Sequence, residues 1–175
     1  MRPSLAVCSI FLGLLAAGCS GSGAVGSASG GRARVALGGA SYEVRDVGIT
    51  LGMGEAPYFR IEGESAKSPG EDCVPGLGSG LGLYGDLPSS VHSASDLVGK
   101  RMRVDFSGDG DDANFCFAGM GGLAGAEEAW VTIQSVSGKS VTFSMTGTFK
   151  IYDENGDGPI RTATATGTAI LRTET

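Results

Sequence analysis

The 175-residue chain has one histidine, one tryptophan and four cysteines, and only 18% of its residues are charged. A single imidazole, His92, excludes a His-rich metal centre and makes any His-dependent dyad or triad rest on one residue. The longest apolar run, Leu5 to Ala17, is about 13 residues, against the roughly 20 that a membrane-spanning helix requires. Thirteen Lys and Arg against 19 Asp and Glu leave a net charge of -6. That balance removes nucleic acid as a partner, because neutralising phosphates takes clustered cations. Six prolines and 7% aromatics fit neither a collagen-like chain nor a Pro-rich disordered one. What the chain has in excess is glycine, 31 residues. Its 41% hydrophobic content supports one core, and its length suits one domain.

Residues 1–18 carry one charge, Arg2, then the short apolar run, then small residues, the order of an export signal. The stretch Leu15-Ala16-Ala17-Gly18-Cys19 resembles the lipobox of bacterial lipoproteins, with Ala16 standing where Leu is commonest. The resemblance implies that the Cys19 thiol takes a diacylglyceryl group, that cleavage falls just before it, and that the new amine receives a further acyl chain of the palmitate type. Plain signal cleavage after Ala16-Ala17-Gly18 is the alternative, and it would leave Cys19 as a free thiol. Ser20 occupies the position where Asp resembles an inner-membrane retention signal, so the outer membrane is expected if the host has one. Residues 19–32 then read as the lipidated cysteine and a Gly/Ser tether, whose twelve residues from Ser20 span roughly 17–21 Å.

From residue 33 to 173 the pattern is that of a single β domain. Phe59 and Ile61, Met102, Val104 and Phe106, and Val131 and Ile133 each alternate with polar neighbours, the period of a half-buried strand. Val44 and Val47 fall out of phase around Arg45-Asp46, which calls for a bulge or a break. Residues 129–171 read as a three-stranded meander turning at Ser137-Gly138. In it Val141, Phe143, Met145, Gly147 and Phe149 face Ala163, Ala165, Gly167, Ala169 and Leu171, so that large residues lie beside small ones. The opposite faces are rows of Thr and Ser. Gly63 to Ser90 reads as one long Gly-rich loop, and Ser93 to Gly99 as a short capped helical turn. The fold class is therefore all-β, an antiparallel sandwich or barrel of about seven strands with at most a short helix. Gly147-Thr148-Phe149 and Gly167-Thr168-Ala169 resemble small β-sandwich domains of bacterial lipoproteins, a resemblance that carries no functional residue.

Chemistry-bearing groups are few. Cys8 leaves with the signal, so Cys73 and Cys116 are left to pair in an oxidising compartment, or to sit reduced and buried. Their disulfide would close a loop of about 44 residues. Asp153-Glu154-Asn155-Gly156-Asp157-Gly158 matches the first half of an EF-hand loop, which nominates Asp153, Asn155 and Asp157 as Ca²⁺ ligands. The twelfth position is Thr164 where a bidentate Glu belongs, so loop chemistry alone is the competing reading. Asp109, Asp111, Asp112 and Asn114 form a second acidic cluster. Gly80-Leu81-Gly82-Leu83-Tyr84-Gly85 fits G-x-G-x-x-G but lacks the strand-to-helix setting that a dinucleotide needs. Glu127-Glu128 are adjacent on a strand and are expected to point to opposite faces. His92 lies in a polar loop, no G-x-S-x-G is present, and Trp130 either covers an edge or sits in a partner site.

These readings point to a lipid-anchored, extracytoplasmic, non-catalytic binding or structural module. Its partners would be the membrane, through the anchor, and a protein or glycan. The alternative is a Ca²⁺-dependent recognition domain, with a hydrolase third.

Overall fold

A computed structural model describes residues 30–67, 72–74, 77–106, 113–120, 122–153 and 156–172, without the side chains of 72–74, 77–78 and 157. Cys19 and the export signal lie outside the described residues. The strands are β1 (Gly31–Leu37), β2 (Ala40–Gly52), β3 (Tyr58–Ser65), β4 (Asp72–Val74), β5 (Leu77–Gly78) and β6 (Gly80–Asp86). They continue with β7 (Arg101–Val104), β8 (Phe115–Cys116), β9 (Leu123–Ser137), β10 (Ser140–Asp153) and β11 (Gly156–Arg172). The sheet order β10-β11-β1-β2-β3-β6-β8-β9 closes through a β9–β10 pairing into an eight-strand antiparallel barrel, with β7 as a ninth strand on β9. The all-β reading holds. Of its two architectures the barrel is realised, with eight closing strands and not seven.

The C-terminal meander forms as its alternation requires. Val141 registers with Ala169, Phe143 with Gly167, Met145 with Ala165 and Gly147 with Ala163. Each bulky side chain thus has a small partner beside it, and the large ones fill the barrel interior. Phe59, Ile61, Leu83, Phe115, Phe117, Phe143 and Phe149 are all buried in one core. The turn is one residue later than expected, at Gly138-Lys139, because Ser137 still pairs with Ser140 and Gly138 takes the positive φ of 58°. The expected slip in β2 is a bulge. Arg32 pairs with Arg45 and Gly31 with Val47, leaving Asp46 unmatched at φ 53°. Gly31 and Arg32, expected in the tether, belong to β1 because β2 and β11 already offer them partners.

The Gly63–Ser90 loop is a correction. β3 runs on to Ser65, and Gly80–Asp86 is β6, paired along its whole length with β3. Leu81, Leu83, Gly85 and Leu87 point inward in strict alternation, a period hidden in the sequence by the glycines between them. The segment from Leu87 to Lys100 folds across one end of the barrel with Leu87, Val91 and Leu97 buried. It includes the expected turn, Ala94–Leu97, a single 3-10 turn closed by Gly99 at φ 77°.

β7 and β8 share one barrel position. Both run antiparallel to β9, β7 opposite Ala129–Thr132 and β8 opposite Leu123–Ala124. Between them the wall has a break, and Asn114 fills it. Its Nδ2 donates to the Gly82 carbonyl at 3.0 Å and the Asp105 carbonyl at 3.2 Å, while Oδ1 accepts the Ala126 amide at 2.7 Å.

Candidate functional site

Because the interior is packed with side chains, an accessible site has to lie on the outer wall. One candidate is a cleft of ≈ 360 Å³ over β3 and β6. Its shape follows from residue size. Outward positions on β6 are Gly80, Gly82 and Tyr84, and those on β3 are Arg60, Glu62 and Glu64. Two glycines side by side with long charged residues leave a floor of backbone beneath a charged rim. Asp46, on the β2 bulge, and Arg172, at the end of β11, complete the rim.

The rim is internally ordered. Arg60 Nη2 meets Glu62 Oε1 at 2.8 Å, and Arg45 Nη2 meets Glu64 Oε2 at 3.3 Å. Arg172 Nη2 donates to the Asp46 carbonyl at 2.8 Å. Arg172 lies flat where Gly48 has no side chain, since a Cβ there would fall 2.0 Å from its Nε. These pairs are solvent-exposed, so each contributes at most about 1 kcal/mol to stability. Their value is chemical, because donors and carboxylate acceptors alternate along a polar trough. Ser79 Oγ accepts the Ala118 amide at 3.2 Å, a structural use of the hydroxyl at the foot of the cleft.

The residues nominated by sequence do not assemble there, apart from Cys116, which lines the cleft floor. Cys116 is buried and disulfide-bonded. Cys73 is in β4, and its side chain lies outside the described residues. Asp153 is exposed at the end of β10 and pairs across the turn with Gly156. Asn155 lies outside the described residues, as do Asp109, Asp111 and Asp112, and Asp157 is described in backbone only. Asn114 is excluded as a ligand of the second acidic cluster, because both ends of its amide are committed to backbone in the wall. Glu127 and Glu128 do not point to opposite faces. The β9–β10 register skips Glu127, and this bulge leaves both side chains exposed.

His92 is exposed beside the 3-10 turn, its backbone amide donating to Asp96 Oδ2 at 2.9 Å. The Ser93 amide donates to the same oxygen at 2.9 Å. Led by the His92 amide, these donors hold the Asp96 carboxyl below its ordinary range. Trp130 is half-buried on the outer wall with the Arg101 guanidinium 4.4 Å above its ring, so it is covered by its neighbour on β7.

Sequence reasoning missed the cleft. Arg60 and Glu62 were visible only as the wet face of a strand, and nothing in the local pattern showed that β6 would place glycines beside them. Arg172 was further from view, arriving from the far end of the chain. No protein-family model, curated protein or solved structure matches the chain.

Proposed function

We propose that the chain is a lipid-anchored, extracytoplasmic, non-catalytic binding module that meets a protein or glycan partner at the cleft between Arg60, Glu62, Tyr84 and Arg172. The packed barrel interior is the observation that carries this reading. It leaves the wall as the recognition surface, and the cleft is a concave stretch of that wall with both donors and acceptors. The anchor rests on the lipobox resemblance at Cys19, and the tether that follows leads into β1. A disulfide joining Cys116 to Cys73 belongs to the same reading. Cys116 pairs in register with Gly80, seven residues along the chain from Cys73.

Two measurements test it. Cys19→Ser should abolish labelling by a fatty-acid analogue and block maturation, and a parent chain that never takes up label would remove the anchor. A photo-crosslinking residue at Tyr84 should capture a discrete partner in intact cells, whereas one at Thr164, on the exposed Thr row, should not. Equal products at both positions would remove the cleft as the binding surface.

The second reading is Ca²⁺-dependent recognition. Phe106 stacks on Tyr152 with ring centroids 5.3 Å apart. Phe106 immediately precedes the Asp-rich stretch 107–112, and Tyr152 immediately precedes Asp153. The stack therefore joins the roots of the two acidic segments, the arrangement in which an incomplete loop borrows oxygen ligands from a neighbour.

A further inference from the structure

Among the described residues one buried side-chain polar atom has no partner, and it belongs to the outer wall. The indole Nε1 of Trp130 is shut off from water and donates to nothing there. Leaving a buried donor unmade costs stability, which sets this indole apart from the rest of the wall. The Arg101 guanidinium lies 4.4 Å from the ring centroid and has only N–H donors to offer. The group that covers the indole therefore cannot satisfy it. Two donors stand together with no acceptor between them.

Residue size shapes a pocket beside them. Trp130 registers with Thr146 and Glu128 with Thr148 across β9 and β10, and Thr148 registers with Thr162 on β11. The wall thus steps down from an indole to a row of hydroxyls. A shallow pocket of ≈ 310 Å³ lies on that step, lined also by Arg101 and Glu128. Both charged side chains are exposed, and neither makes an ion pair among the described residues. Two strand positions, about 7 Å, separate Glu128 from Trp130, which keeps the carboxylate apart from the guanidinium over the ring. Of the neighbouring charges, Arg103 is held by Asp105 at 3.8 Å, and Glu127 does not line the pocket.

We infer that this pocket binds a small zwitterion of the amino-acid class. Its carboxylate accepts from the Arg101 guanidinium and from the Trp130 Nε1–H, supplying the acceptor that both lack. Its ammonium donates to Glu128, and the Thr hydroxyls, which both donate and accept, serve either end. A simple anion would satisfy the two donors but meet the Glu128 carboxylate, and a simple cation would meet the guanidinium. One positive and one negative side chain call for a ligand that carries both charges. The pocket shares no residue with the cleft and does not depend on the partner proposed there. It adds a small-molecule site, and no macromolecular partner, to this wall.

Trp130 is the sole tryptophan, so a proton–nitrogen correlation spectrum of the full chain has one indole cross-peak, which reports this site alone. The two groups recognised are common to every amino acid, so free glycine is the probe. Its titration should move the indole proton downfield, as hydrogen bonding deshields it, and the movement should saturate. Methylamine and acetate, each carrying half of the zwitterion, should leave the peak near its starting position at equal ionic strength. Arg101→Gln and Glu128→Gln should each raise the half-saturating glycine concentration several-fold, with the backbone amide peaks showing that the fold is kept. No movement with glycine up to its solubility would overturn the site. Equal movement with acetate alone, or with glucose, would overturn the zwitterion as its ligand.

Discussion

Asn114 stands in for a missing piece of β-strand, taking the Ala126 amide at 2.7 Å and giving its own amide hydrogens to Gly82 and Asp105. Its backbone pairs as well, the amide with the Ala124 carbonyl and the carbonyl with the Gly82 amide. Asn114→Ala would leave three buried or half-buried backbone groups without that partner. At about 1–3 kcal/mol per unsatisfied group, partly relieved by water, the expected loss is about 3 kcal/mol. Chemical denaturation of the variant measures it. Asn114→Asp should also destabilise, because a carboxylate cannot donate to the two carbonyls. A variant as stable as the parent would show that the break is closed by something else.

The proposed Cys73–Cys116 bond would close a loop of about 44 residues, worth up to about 4 kcal/mol in the chain-entropy model. Cys116→Ala should approach that loss under oxidising conditions and cost much less once the parent is reduced. Cys73→Ala should match it within the error of the melt. Mass analysis of the native chain supplies the direct check, since alkylation of a free thiol at Cys73 would remove the pairing.

Small residues opposite the large ones in the meander are a packing requirement. A Cβ on Gly167 would lie 2.5 Å from Ala33 Cβ and 2.5 Å from the Arg32 carbonyl oxygen. Those atoms belong to β1, so the strand pairing itself would have to widen. Gly167→Ala should therefore cost about 1–3 kcal/mol by overpacking, despite the better strand propensity of Ala. Gly39→Ala, where a Cβ meets nothing but φ is 92°, gives the comparison, a conformational cost of about 1 kcal/mol. Urea melts of the two variants separate these causes.

Where side chains alternate plainly, the sequence discloses the barrel wall. Phe143 and Met145 could be set on one strand face beside a strand carrying Gly167 and Ala165, though not in register, and the slip at Asp46 was visible as a phase error. Glycine hid the rest. Gly80, Gly82 and Gly85 in β6 read as loop because a strand is recognised by the side chains it presents, and three positions present none. The cleft suffers twice from this, since Gly80 and Gly82 form its floor and its rim joins Asp46, Arg60 and Arg172 across distant parts of the chain. Barrel closure itself depends on the β1–β11 contact between distant parts of the chain, and no local period encodes which strands meet.

Asp96 supplies a pH-dependent contribution with a definite sign. Its folded carboxyl is held low by the His92 amide and then by the Ser93 side chain. A depressed folded value means that the contribution is present above the ordinary carboxylate range and is lost as the pH falls through the folded value. The turn is exposed, so the effect should be small. Asp96→Asn should melt slightly lower than the parent at pH 7, and the two should converge in acid below the ordinary carboxylate range. A difference that persists unchanged in acid would assign the effect to packing of the 3-10 turn.

The calcium reading can be separated from the simple-turn reading by stability alone. Any ion that binds only the folded chain raises its stability by RT ln(1 + [L]/Kd), about 2.7 kcal/mol at a hundredfold excess over Kd. If the roots joined by Phe106 and Tyr152 hold a shared site, millimolar Ca²⁺ should raise the melting temperature well beyond the effect of equal Mg²⁺. Mg²⁺ demands a tighter octahedron and gives up its water reluctantly, so it serves as the control for general screening of the acidic surface. Asp157→Asn should then weaken the Ca²⁺ response while leaving the metal-free melt nearly unchanged, because the β10–β11 register is fixed by the long paired strands and not by this carboxylate. Asp111→Asn should weaken it as well, and that second loss is what distinguishes a shared site from the hairpin acting alone. Equal shifts with both cations, unaffected by either substitution, would leave Asp153, Asn155 and Asp157 as turn formers. The proposed recognition of a protein or glycan would then rest on the cleft.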